Sequence, residues 1–416
     1  MPRPPRAWPF LAGGALLLGL GLGRMALTDP DEARYAAAAR EMITTGDPIV
    51  PRFNGAPRLD KPPLIYWLQA GAFRLLGTGE AAARLPSLLA AIATLGLTTW
   101  WARRRLGPGA GAPAAAALAT CLIFFACARL AITDMLLALW VTATLLLWHE
   151  AVLETQRPAR RRLAMAAAAA CGLAFLAKGP VGVVLPALVM LAVAASSGRS
   201  GRITASGVLM GAAGVALVAG PWAAGLVARV GAGGVLEILR REAYERAVWG
   251  LDHPRPFHYL LVSFWATFLP WSLAAPFVLF RAARASRRGR TAAPLPLIWF
   301  ATVIIFFSLL ADKNDAYLLP AAPALALLVT AFLPRRLVLA SAGAAAALLL
   351  AAALLAAPRL SERRSLKQAA LQAGLAGRGD YTLLSYRIYR PSLVFYAGRR
   401  ARWISSGAEL AELLET

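Results

Sequence analysis

Residues 28–67 read TDPDEARYAAAAREMITTGDPIVPRFNGAPRLDKPPLIYW, a polar island directly after the first long apolar run of the chain. Asp29, Asp31, Glu32 and Arg34 open it, and Arg58, Asp60, Lys61, Pro62 and Pro63 close it. Inside hydrocarbon such a segment would leave charges and backbone groups without partners, so it lies at or above a membrane face. Its first half reads as a helix, with Asp29 as N-cap, Pro30 at the first helical position, Glu32 three residues after the cap, and a stop at Gly46. Capping accounts for Asp29 and Glu32, while Asp31 also suits the positive end of a helix dipole. It leaves the second cluster unexplained, where two prolines hold the backbone extended after Asp60-Lys61.

Composition says what surrounds the island. The chain has 416 residues, 59% hydrophobic and 16% charged, with a mean hydropathy of +0.58. That balance belongs to a polytopic α-helical membrane protein and excludes an ordinary soluble domain. The formal net charge is +23; no basic run interleaved with aromatics is long enough to hold a nucleic acid, and the charge reads through the positive-inside rule. Cys121, Cys127 and Cys171 sit in apolar runs without ligand spacing, as small buried hydrophobes with neither a disulfide nor a zinc-finger role. Arg3 and Arg6 ahead of residues 10–22 imitate a signal peptide, but no small-x-small site cleanly precedes the acidic motif, so the segment reads as a retained first span.

Apolar runs long enough to cross about 30 Å of hydrocarbon fall near residues 8–27, 82–101, 112–128, 130–148, 162–177, 180–196, 204–227, 257–280, 293–311, 317–333 and 337–357. These make about eleven spans, with the two termini on opposite sides. Arg3 with Arg6, Arg103 to Arg105, Arg157 with Arg160 to Arg162, Arg199 with Arg202, the arginines of residues 281–290, and Arg335 with Arg336 then share one side, the cytoplasm. The 28–80 loop, the turn at Arg129, Lys178-Gly179-Pro180, the 228–256 loop and residues 312–317 converge on the other side, where neither ATP nor a nucleotide sugar is available. Residues 1–357 read as a membrane domain. Residues 358–416 are polar, with strand character at 380–386, further runs at 392–396 and 402–404, and a helix-like tail from Ala408. They read as a small extracytoplasmic α/β domain, near the lower size limit and leaning on the membrane part.

Asp31-Glu32-Ala33-Arg34-Tyr35, Gly46-Asp47, Val50-Pro51-Arg52, Asn54-Gly55, Asp60-Lys61-Pro62-Pro63-Leu64 and Tyr66-Trp67-Leu68 occur in that order. In order and spacing they resemble the first extracytoplasmic loop of the aminoarabinose transferase group, polyprenyl-phosphate-sugar-dependent glycosyltransferases of the GT-C class related to the protein O-mannosyltransferases. The resemblance runs from about residue 28 to the region of Ala324, more faintly through the tail, and departs at Asp60, where the group usually has Glu. It implies a GT-C-type membrane protein that transfers a sugar, with inversion, from a polyprenyl phosphate carrier to a lipid A-like lipid, a glycan or a protein. Transfer would take place on the outer face of the cytoplasmic membrane.

The resemblance also assigns roles, each with an ordinary alternative beside it. Asp31 takes the group's essential acidic position, where a carboxylate accepts a proton from the attacking oxygen or positions it; the alternative is helix architecture. Glu32, from the same motif as Arg34 and Tyr35, touches substrate with them or caps the helix. Asp134, ionisable within an apolar span, matches a similar acidic residue and is either catalytic or the structural partner of Arg129. Lys178 matches a lysine of the group or snorkels at a span end. Lys61 and Arg58 neutralise a departing phosphate or bind anionic head groups. Tyr317, after Asp312-Lys313-Asn314-Asp315-Ala316, touches carrier or sugar or sits in an aromatic belt.

His253 and Arg255 stand in Asp252-His253-Pro254-Arg255-Pro256-Phe257-His258-Tyr259, which is similar to the group's late histidine segment. Arg255 then belongs to the substrate-binding set. In that group the histidine joins the acidic residue before the loop lysine, here Asp60, around a divalent metal such as zinc, with water completing the shell; no other cofactor is implied. His258 and His149 read as bystanders. The rival class is a transporter or flippase, which also gathers charges in spans around a cavity. No inverted repeat and no matching pair of broken spans supports it.

Overall fold

The computed structural model describes residues 7–196, 205–251, 253–287, 294–372 and 383–415. The expectations resting on Arg3, Arg6, Arg199, Arg202, Asp252, Arg290 and residues 380–382 lie outside the described residues.

The first apolar run forms α1 (Trp8–Gly19), and the polar island folds into α2 (Asp31–Thr45), an antiparallel hairpin of β1 (Arg52–Phe53) with β2 (Ala56–Pro57), and α3 (Leu64–Leu76). Gly46 takes the left-handed conformation at the end of α2, φ 68°, and its N–H closes on the Met42 carbonyl, as glycine does at a helix C-terminus. The start differs from expectation. Pro30, not Asp29, is the N-cap, and no side chain caps α2 from that position. Thr28 instead donates its N–H and hydroxyl to Glu32 Oε2, at 3.1 and 2.8 Å. Asp29 is turned away to accept from Ser392, at 2.7 Å from the backbone N and 2.5 Å from Oγ.

Then follow α4 (Glu80–Arg105), α5 (Gly111–Ala119), α6 (Leu122–Ala128), α7 (Asp134–Leu153), α8 (Arg157–Lys178), α9 (Val181–Ser196), α10 (Ala205–Leu239) and, after a π-helical stretch Arg240–Glu245, α11 (Arg246–Val248). The chain continues through α12 (Tyr259–Thr267), α13 (Ala275–Arg287), α14 (Pro294–Leu309), α15 (Ala322–Phe332) and α16 (Arg335–Ala351). Among the described residues five helical stretches are long and apolar enough to cross a membrane, and two pairs bent by 70° and 114° bring the number to seven. The eleven hydropathy spans are thus not all full-length helices. α5 and α6 part at Thr120 and Cys121, and α12 and α13 part around Pro270. α9 and α14 are shorter apolar helices, and α8 opens on Arg157, Arg160, Arg161 and Arg162, which dilute its apolarity.

Burial separates an interior from a lipid-facing rim. α7 has 67% of its apolar window buried, against 6% for the 42-residue stretch Gly207–Val248, whose Leu209 and Leu217 face outward. That stretch meets α8 through small residues: a Cβ on Gly214 would lie 2.5 Å from the Ala168 Cβ, and one on Gly172 2.7 Å from the Val218 Cβ. Close backbone approach is how helices gain packing in lipid, where apolar burial supplies no drive. Forty-two residues at about 1.5 Å each exceed the roughly 30 Å of hydrocarbon. Gly231, φ 76° and ψ 160°, breaks the rod where apolar sequence gives way to Glu237, Arg240, Arg241 and Glu242.

At the end of the chain come α17 (Ala357–Arg363), α18 (Lys367–Gln372), β3 (Leu383–Tyr386), α19 (Pro391–Ala397), β4 (Ala401–Ile404) and α20 (Gly407–Glu415). β3 and β4 pair in parallel, Leu383 opposite Ala401 and Tyr386 opposite Ile404, with α19 as the crossover that parallel strands require. Residues 392–396 are therefore helix, not a further strand. Pro391 starts them at the first turn, and a short apolar run buried on every side carries no period to tell the two apart.

Candidate functional site

The two acids that begin α2 have different surroundings. Glu32 is 2% exposed and accepts five hydrogen bonds: two from Thr28, two from Arg84 at 2.8 and 3.0 Å, and one from the Ala131 N–H at 2.8 Å. Arg84, fully buried on α4, spends its remaining donors on the carbonyls of Leu22, Met25 and Ala26. This pair knots α2, α4 and the chain between α1 and α2. Asp31 is exposed and makes no hydrogen bond or ion pair among the described residues. It stands one turn before Arg34 and Tyr35, and residues three and four apart share a helix face.

Arg34 points into a cavity of about 440 Å³ walled by the 53–60 hairpin and by Ile238, Arg241, Glu242 and Arg246. Its Nε is buried without a partner, and its guanidinium lies 5.6 Å from the centre of the Tyr389 ring. Tyr35 is 5% exposed, packed 5.7 Å from Tyr66 and beneath Arg58, whose guanidinium is 5.3 Å from its ring centre. Burial pushes the Tyr35 phenol well above its usual range, and Asp60 and Tyr66 add to the push. Arg58 donates to Tyr66 Oη at 3.0 Å and pairs with Asp60 Oδ2 at 2.8 Å. Burial works against the Arg58 charge, but its tyrosine and carboxylate neighbours outweigh that and hold it protonated.

From Lys61 a row of charges crosses to the span ends. Lys61 Nζ lies 2.8 Å from the Asp60 carbonyl, 3.9 Å from Asp60 Oδ2 and 3.3 Å from Glu242 Oε2. Glu242 also accepts from Arg246 at 3.0 Å, and Arg246 reaches Asp312 Oδ2 at 2.8 Å. Asp312, 2% exposed at its side chain, further accepts from the His253 N–H at 2.6 Å and from Tyr317 Oη at 3.2 Å. The Tyr317 ring carries Lys178 Nζ 4.5 Å from its centre, and Lys178 pairs with Asp134 at 2.5 Å. Asp134 thus pairs with Lys178; Arg129 instead donates to the Leu18 carbonyl and lies over Phe125. Arg255 stands outside this row, stacked 4.1 Å from the Tyr259 ring centre. Its carbonyl accepts from Lys313, a side chain that also holds the Leu310 carbonyl and whose charge burial disfavours.

Sequence reading missed Glu242, Arg241, Arg246, Arg84 and the anchoring role of Asp312. Two signals are present: Glu242 and Arg246 at helical i, i+4 spacing in the 228–256 loop, and Arg84 as an ionisable residue at the edge of an apolar run.

The two expected metal ligands, Asp60 and His253, belong to the two ends of this row of contacts. Asp60 Oδ2 is engaged by Arg58 and Lys61 while its Oδ1 is buried without a partner, and His253 Nδ1 lies 3.9 Å from Asp312 at the other end of the row. Among the described residues no three His, Cys, Asp or Glu side chains are gathered in a metal-holding group.

Many apolar helices, with the polar chemistry drawn to one end around a charged cavity, define a polytopic membrane protein. Comparison with known proteins shows what the chain is similar to. Residues 60–224 match the dolichyl-phosphate-mannose-protein mannosyltransferase family. The fold superposes on the crystal structure of ArnT from Cupriavidus metallidurans bound to undecaprenyl phosphate with a TM-score of 0.83, at 24% identity, covering 97% of this chain and 87% of that one. A more distant match is the Archaeoglobus fulgidus oligosaccharyltransferase, TM-score 0.54 at 14% identity, covering 94% of this chain and 61% of that one. In sequence the chain is 32% identical over 333 residues to an undecaprenyl phosphate-alpha-4-amino-4-deoxy-L-arabinose arabinosyl transferase of Sodalis glossinidius, covering 76% of this chain. It is likewise 32% identical over 324 residues to an uncharacterized protein of Aquifex aeolicus, again over 76% of this chain. It spans 58% and 62% of those two relatives' lengths.

Proposed function

We propose that the chain is an integral membrane glycosyltransferase that takes a sugar from a polyprenyl phosphate carrier to an acceptor on the outer face of the cytoplasmic membrane. The observation that carries this reading is the cavity. Arg34, Arg58, Arg241 and Arg246 face Asp60 and Glu242 across about 440 Å³, with Lys61 at one edge and the unpartnered Asp31 one helical turn from Arg34. An excess of cations converging on a partly closed space stabilises charge that develops on a leaving phosphate. The names of the sequence relatives support a polyprenyl phosphate as the carrier.

In the step we assign to this site, an acceptor oxygen bonds to the anomeric carbon as the bond from that carbon to the carrier phosphate breaks, its electron pair leaving on the phosphate oxygen. Attack from the opposite side inverts the centre. Lys61 and Arg58 meet the developing negative charge, and the Lys178 ammonium, held by Asp134 and the Tyr317 face, extends the same field toward the span ends. A hydroxyl acceptor gives its proton to Asp31. An ionised acceptor, such as a lipid phosphate, needs no base, and Asp31 then orients the donor sugar. Arg34 and Tyr35 frame the sugar side.

We also assign eleven crossings, counting the bent pairs, the shorter helices α9 and α14, and α1 and α8 as spans, with the arginine-rich helix ends in the cytoplasm. Residues 1–357 are the membrane domain on this reading. Residues 358–416 are a small outer α/β domain, bound to the catalytic loop through Asp29 with Ser392 and Asn54 with Ala401. The test is to supply the purified protein with a polyprenyl-phosphate-linked sugar and an acceptor, and to follow free carrier phosphate. Acceptor-dependent release supports transfer. Movement of the intact lipid-linked sugar across proteoliposomes without release would establish the transporter instead.

A further inference from the structure

Glu242 sits where a catalytic anion would be expected. It is 18% exposed at its side chain, and bridges Lys61 Nζ at 3.3 Å and Arg246 at 3.0 Å, both beside the cavity. The bridge joins residues 181 apart in sequence, so it ties the outer loop to the far end of the long rod. Its backbone lies in the π-helical stretch Arg240–Glu245, between Gly231 at φ 76° and Gly250 at φ 73°, conformations that glycine adopts without strain. Resting on the reading of the site as a carrier-phosphate site, we infer that Glu242 is a place-holder for that phosphate. Carboxylate and phosphate compete for Lys61 and Arg246, and Arg246 is a phosphate-binding residue in its own right.

Charge balance gives the exchange a direction. A lipid phosphate carrying a sugar is a diester with one negative charge, so replacing the Glu242 carboxylate on Lys61 and Arg246 leaves the local charge unchanged. When the bond to the anomeric carbon breaks, the electron pair stays on the phosphate, and the monoester product tends toward two negative charges near neutral pH. The product therefore holds the two cations more strongly than the donor did. Without a competitor the empty site would also leave Lys61 and Arg246 one negative charge short, with only Asp60 and Asp312 beside them. A carboxylate that returns to both cations answers both difficulties: it compensates the empty site and assists departure of the spent carrier.

Glu242→Gln keeps the shape and removes the competing charge. In full-length protein in detergent or nanodiscs, titration with polyprenyl monophosphate should tighten roughly five- to tenfold, the scale of one partly buried ion pair. In turnover, KM for the lipid-linked sugar and kcat should fall together, with free carrier a stronger product inhibitor. Glu242→Asp, which retains the charge, should stay near the parent. Combined with Lys61→Gln, the tightening caused by Glu242→Gln should shrink, as it must if the two act through one contact. An unchanged or weaker titration for Glu242→Gln, with the parent still binding the monophosphate and the variant retaining the parent's thermal midpoint, overturns the place-holder and leaves the site reading standing. Failure of the parent itself to bind the monophosphate overturns both.

Discussion

A carboxylate in the first turn of a helix is stabilised by the dipole whether or not it does chemistry, so the acids that open α2 have to be told apart by their surroundings. Asp31 has solvent around it and no partner among the described residues, whereas Glu32 is enclosed by Thr28, Arg84 and the Ala131 N–H. Asp31→Asn therefore removes charge from a surface position. It should shift stability by no more than about 0.5 kcal/mol while turnover falls by roughly 10²-fold or more, the scale of lost acid–base assistance. Equal amounts of membrane-inserted protein, compared by carrier release, check it, and near-parental turnover would end the catalytic assignment. Glu32→Gln should fail in the opposite way. It strands the Arg84 charge in a dry interior, which costs about 3–5 kcal/mol, so the loss should appear first in expression and thermal midpoint. Neighbouring one-letter symbols gave no hint of this split, because the residue that decides it, Arg84, lies 52 positions away. Asp29, a plausible cap from its place before proline, could not be recognised as the anchor of Ser392, 363 residues on, for the same reason.

At the scale of elements, local chemistry was legible wherever it ends in local structure. The polar island, the helix stopped by Gly46 and the apolar runs all follow from rules that span a few residues. The bends that break α5 from α6 and α12 from α13 are tertiary, and hydropathy averages across them. So is the docking of the C-terminal segment, which meets α2 and the hairpin through polar bonds: Arg40 to the carbonyls of Val394 and Phe395 at 2.9 and 2.6 Å, Arg400 to Glu41 at 3.3 Å, and Asn54 to both backbone groups of Ala401 at 2.6 and 2.7 Å. Burial disfavours the Arg40 charge, partly countered by Glu41, yet two carbonyls fix it in place. Since each such bond contributes about 1 kcal/mol, Asn54→Ala should loosen the segment without unfolding the membrane part. Limited proteolysis should then cut within residues 373–416 several times faster than in the parent, while the midpoint of the membrane domain hardly moves. Identical digestion would show that β4 does not depend on the hairpin.

For the whole molecule, the fold places the candidate chemistry at one end, and the proposed function requires that end to be outside. Net charge alone, +23, does not orient the chain; its distribution does, because arginines near span ends are retained in the cytoplasm. Arg103, Arg104 and Arg105 close α4, and Arg157 opens α8 with three more arginines behind it. Arg104 and Arg105 converge on Glu150 of α7 at 2.6 and 2.5 Å, so the ends of α4 and α7 that bear these charges lie together. At the opposite end α7 begins at Asp134 and α8 finishes at Lys178, the pair that leads by way of Tyr317 toward the cavity. Orientation and chemistry are therefore one question, settled by reporters on exposed residues that touch neither the site nor the ion pairs. In a cysteine-free background, Thr45→Cys at the end of α2 and Ala408→Cys on α20 should react with a membrane-impermeant maleimide in intact cells. Thr155→Cys, between α7 and α8, should react only after permeabilisation. Labelling of Thr155→Cys in intact cells with both other positions protected would invert the molecule, leave the cavity facing a compartment with nucleotide sugars, and remove the reason for a lipid-borne donor.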